Sequence, residues 1–239
     1  MSEAAPSPGS SARIAAPIAT PRAGHLHAGL SSVTKKYAVA MSGLALVGFL
    51  FAHLAGNLLI LIPGAFDQYA AALHASPLLP LAEIGLFAVF VVHVALALAC
   101  ARANRDAKPQ KYAVAATRGK ATLASRTMVI TGSAVLVFVI VHIAHMKFRA
   151  PLFGNPTVET GSQWVLRTLA HPLGALVYAV GVCAVGVHLS HGVWSLFQTL
   201  GWNSKRWHAR LTGISRAVGA LLAAGFLLIV VYALLRGGR

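Results

Sequence analysis

Acidic residues are scarce. Asp and Glu together number five against 20 Lys and Arg, and charged residues make up only 10% of the 239-residue chain. Soluble domains carry about 25% charged residues, so a soluble globular fold is excluded. Cysteine is scarce too. Cys100 and Cys183 stand apart at or within apolar runs, which excludes a disulfide framework and an iron–sulfur cluster held by this chain alone. The first thirty residues are rich in Ser, Ala, Pro and Gly and lack an apolar core segment, so they do not read as a secretory signal peptide. They are expected to form a disordered or loosely ordered tail, with residues 31–239 as one membrane domain.

What is present is hydrocarbon. Hydrophobic residues reach 57% and mean hydropathy is +0.70. The basic excess sits in loops, where it has a topological reading rather than a nucleic-acid one. Runs of about 20 apolar residues can cross a bilayer as helices, and five are expected: 37–62, 81–101, 127–147, 172–199 and 212–235. Pro63-Gly64 ends the first, Pro77 and Pro80 precede the second, and Pro172 suits a first helical turn. Lys35 and Lys36 flank the first run, seven basic residues from Arg102 to Arg126 lie between the second and third, and Lys205, Arg206 and Arg210 precede the fifth. The positive-inside rule therefore puts the N-terminus in the cytoplasm and the C-terminus outside. The expected fold is an all-α integral membrane protein of five transmembrane helices.

Four histidines lie deep in four of these runs, and an ionisable group within a membrane span is a functional candidate. With a rise of about 1.5 Å per residue, His53 and His142 lie roughly 24–25 Å from inner ends at Lys36 and Arg126, in the outer half. His93 is roughly 13 Å short of Arg102, and His188 roughly 24 Å past Pro172, both in the inner half. Depth thus pairs His53 with His142 and His93 with His188. Each pair joins two helices, as a haem with two axial imidazoles requires. No Cys-x-x-Cys-His stretch occurs, so such haems would be non-covalent b-type.

Gly174 and Gly181 precede His188 in steps of seven, while Gly43 and Gly132 each precede their histidine by ten. Glycines on a ligand face admit a flat macrocycle, and small residues equally promote helix contact. His145 and His191 follow His142 and His188 by three residues and are the rival ligands. His145 is placed toward solvent or a quinone, and His191 near a haem propionate. His25, His27, His74, His171 and His208 fall in tails, loops or span ends. Lys36 and Arg126 are further candidate propionate contacts. Glu83, at the outer mouth of the second span, is the candidate for proton transfer.

The stretches MSGLALVGFLFAHLAGNL, LAEIGLFAVFVVHVALAL, ASRTMVITGSAVLVFVIVHIAHMKF and VYAVGVCAVGVHLSHGVWSLFQTLGW resemble the cytochrome b membrane anchor of succinate dehydrogenase and fumarate reductase, in its five-helix, two-haem form. HLSHGVWSLFQTLG is the most specific piece. The resemblance implies one haem ligand from each of the first four helices, at His53, His93, His142 and His188, and pairing of first with third and second with fourth. It also implies a flavoprotein with covalent FAD and an iron–sulfur subunit docked on the cytoplasmic face of the bacterial inner membrane. Menaquinone is the implied quinone. Two other readings compete. One is a di-haem anchor for another oxidoreductase, such as a hydrogenase or formate dehydrogenase. The other is a haem-free transporter using its histidines as proton sites.

Overall fold

The computed structural model describes residues 31–106, 128–150, 152, 160–202 and 204–236. The N-terminal tail and Arg126 lie outside the described residues. Among those residues every regular element is a helix: α1 (Ser32–Leu58), α2 (Ala65–Ala75), α3 (Leu79–Asp106), α4 (Met128–His142), α5 (Gly161–Ala170), α6 (Pro172–Thr199) and α7 (His208–Arg236). A 3-10 turn, Leu59–Leu61, extends α1, and a π turn, Ile143–Lys147, extends α4. Five helices are long and apolar enough to cross a membrane: Ser32–Leu61, Leu79–Asp106, Met128–Lys147, Pro172–Thr199 and His208–Arg236. They coincide with the five expected runs.

Local chemistry sets the ends. Ser31 Oγ accepts the Thr34 N–H at 3.1 Å and caps α1. Pro172 occupies the first turn of α6, where its missing N–H costs nothing. Gly64, at φ +75°, makes the left-handed turn that launches α2.

α6 and α7 form the most extensive interface, and α1 packs against both. α3 lies chiefly on α1, and α4 chiefly on α6. Neither α3 nor α4 buries a residue. Their outer faces, including Ile84, Phe87, Ile130 and Val137, are exposed apolar surface suited to lipid. The core runs through Leu54 of α1, Tyr178 and Leu189 of α6, and Leu222, Ile229 and Ala233 of α7.

The first-to-second and third-to-fourth connections, read from sequence only as loops, contain the helices α2 and α5. They are tied together: Asp67 of α2 accepts from the Ser162 N–H at 2.9 Å and from Ser162 Oγ at 2.5 Å. A carboxylate there satisfies one backbone N–H that the first turn of α5 leaves unpaired. Both connections therefore lie at one end of the bundle.

Candidate functional site

Two histidines meet directly. The rings of His53 on α1 and His142 on α4 lie 5.8 Å apart, centroid to centroid, at 89°. Phe49 stacks on His53 at 5.2 Å, and Phe226 of α7 backs it at 5.8 Å. Phe138 and Tyr178 flank His142 at 5.9 Å each. Two aromatic rings thus stand beside each histidine of the pair, and both histidines are half-buried.

The other two histidines lean on partner helices lower down. His93 of α3 rests against α1 at Gly43, where a Cβ would stand 3.1 Å from His93 Cε1. His188 of α6 rests against α4 at Gly132, where a Cβ would stand 3.3 Å from His188 Cε1. Gly43 and Gly132 each lie ten residues below the histidine on their own helix, or roughly 15 Å along the axis. The four rings thus occupy two levels about 15 Å apart, His53 and His142 at one and His93 and His188 at the other.

Among the described residues no three His, Cys, Asp or Glu side chains converge on a point. The 5.8 Å spacing of His53 and His142 is that of an edge-on ring contact. His142 Nδ1 is buried and has no hydrogen-bond partner among the described residues. An unsatisfied polar atom of this kind costs about 1–3 kcal/mol.

The remaining candidates divide. His145 is 2% exposed, so it does not face solvent. It sits among Tyr178, whose hydroxyl is 3.4 Å from Nδ1, Thr168, whose hydroxyl is 3.5 Å from Nε2, and Trp164, whose indole N–H donates to the His145 carbonyl at 3.2 Å. His191 is half-buried one turn beyond His188, and Lys36 is exposed near the start of α1. His74, His171 and His208 are exposed. Glu83 pairs with Lys147, joining α3 to the end of the π turn, with both side chains close to half exposed. An ion pair in that setting is worth at most about 1 kcal/mol.

Sequence reasoning passed over Ser42, Thr131 and Asn57. Ser42 Oγ lies 3.1 Å from His93 Nδ1, and Thr131 Oγ1 lies 3.5 Å from His188 Nδ1. Asn57 Nδ2 donates to the His53 carbonyl at 2.8 Å and lies 3.4 Å from the ring's Nδ1. The signal was available: a hydroxyl residue precedes both glycines that stand ten residues before a histidine.

No protein-family model, curated protein or solved structure matches the chain.

Proposed function

We propose that this chain is the cytochrome b membrane anchor of a succinate dehydrogenase or fumarate reductase complex. His53 with His142 would hold an outer b haem, and His93 with His188 an inner one. The carrying observation is the arrangement of the four intramembrane imidazoles. One pair stands 5.8 Å apart between α1 and α4, and the other two rings sit against glycines about 15 Å lower. Bound there, the haems would supply one-electron transfer across the bilayer, between an iron–sulfur subunit on the cytoplasmic side and a membrane quinone, menaquinone by resemblance. The protein's part is ligation, exclusion of water and electrostatics. Phe49, Phe138 and Phe226 close the outer pair, while Lys36, Arg126 and His191 are the candidate counter-charges for inner propionates. Partner flavoprotein and iron–sulfur subunits would meet the face at the N-terminal end of α1.

Haem content per chain tests this reading. Pyridine haemochrome assay of the purified protein, with a reduced-minus-oxidised spectrum, is expected to give two b haems. None, in folded protein, would remove the electron-transfer role and favour a proton-coupled transporter.

Quinone chemistry also moves protons, and Glu83 is proposed for that path at the outer end of α3. Glu83→Gln is expected to slow quinone-linked turnover by up to about a hundredfold, the lower range for a positioned acid–base group, with haem retained. Lys147→Gln serves as the control. If it slowed turnover equally, the α3–α4 ion pair rather than the carboxylate would be responsible.

A further inference from the structure

Two hydroxyls stand in equivalent places in the two halves of the bundle. Ser42 is followed by Gly43 and lies eleven residues before His53; Thr131 is followed by Gly132 and lies eleven before His142. In each half the glycine makes room for an imidazole from the next long helix, and the hydroxyl meets that ring's Nδ1. Each hydroxyl also donates to its own helix. Ser42 Oγ donates to the Ala38 carbonyl at 2.7 Å, and Thr131 Oγ1 to the Met128 carbonyl at 3.2 Å. With the hydroxyl proton so committed, the oxygen faces the ring as an acceptor. The Val39 carbonyl, 3.2 Å from His93 Nδ1, can only accept. The proton of His93 therefore sits on Nδ1, and Nε2 presents its lone pair.

We propose that Ser42 and Thr131 are paired positioning residues that hold His93 and His188 in the Nδ1–H tautomer and orient Nε2 toward the inner metal. This rests on the di-haem reading. An acceptor on the far nitrogen of a ligating imidazole increases the ring's basicity and favours the oxidised metal. First and third long helices thus each serve both levels, giving a ligand to the outer site and an acceptor to the inner one. The two hydroxyls differ in weight. His93 keeps the Val39 carbonyl if Ser42 is lost, whereas Thr131 is the one Nδ1 partner of His188 among the described residues.

Redox titration of the two haem bands tests the proposal in the full-length protein. Thr131→Val is expected to raise the midpoint of one haem only, changing its reduced-to-oxidised ratio at fixed potential by roughly threefold to tenfold, the worth of one hydrogen bond. Ser42→Ala is expected to move the same haem by less, and Thr131→Ser to restore it. His93→Ala identifies that haem as the inner one by removing its band. Unchanged midpoints in both variants, or a shift in the outer haem instead, overturn the proposal. So does loss of haem in Thr131→Ser as well as Thr131→Val, which would assign the role to the methyl group. A wild-type protein without haem would instead defeat the functional reading itself.

Discussion

Replacing His53 by alanine is expected to lower the haem content of the purified protein from two per chain to one. A non-covalent haem between helices depends on its two axial bonds, which the proposed reading assigns to His53 and His142, whose rings meet between α1 and α4. His142→Ala is expected to remove the same haem, leaving the same residual spectrum. The double variants then separate pairing from general damage. His53→Ala with His142→Ala is expected to keep one haem, because both changes strike one site and cannot add. His53→Ala with His93→Ala is expected to keep none, since the affected sites lie about 15 Å apart. The reverse pattern would mean that the ligands pair by helix hairpin, α1 with α3 and α4 with α6. Haem quantified against protein for each variant decides between the two.

The five spans were legible because hydrocarbon thickness demands runs of about 20 apolar residues, a long-range signal that local detail hardly disturbs. Histidine depth was legible for the same reason: a helix converts sequence number into height. The end connections were not. AFDQYAAALHA and GSQWVLRTLA are short and mixed in polarity, and their partnership through Asp67 and Ser162 joins positions 95 residues apart. His145 shows a different limit. A spacing of three puts it near the face of His142 in a regular helix, but the π turn from Ile143 to Lys147 carries an extra residue. Beside that turn His142 meets both His53 and Tyr178, while His145 meets Tyr178 and Trp164. No hydropathy pattern records it. Ser42 and Thr131 lay in plain view beside the glycines, yet a hydroxyl in a membrane helix ordinarily satisfies itself on its own backbone. Only the ring arriving from the next helix distinguishes these two.

Gly219→Ala is expected to destabilise the contact between α6 and α7. A Cβ at Gly219 would collide with the Gly186 carbonyl oxygen and stand 3.2 Å from the Ser190 backbone nitrogen. Both obstacles are backbone, so no side-chain rotation relieves them and α6 must move away from α7. The same approach is tight from the other side, where a Cβ at Gly186 would lie 2.9 Å from Ala223 Cβ and 3.0 Å from the Gly219 carbonyl oxygen. Forcing a methyl group into such a contact costs about 1–3 kcal/mol, or roughly 3–10 °C in unfolding midpoint for a chain of this size. Gly213 on the same helix supplies the control, because a Cβ there meets nothing within 4 Å. Gly213→Ala is expected to leave the midpoint unchanged or slightly raised, through the better helix propensity of alanine. Thermal unfolding of the two variants in one detergent makes the comparison, and equal midpoints would mean that α6 and α7 do not touch at these glycines. The functional consequence is local. Gly186 is two residues from His188 on α6, so displacement of α6 reaches the inner pair first. Gly219→Ala is therefore expected to weaken the inner haem before the outer one, whose His53 is backed from α7 by Phe226, seven residues farther along that helix.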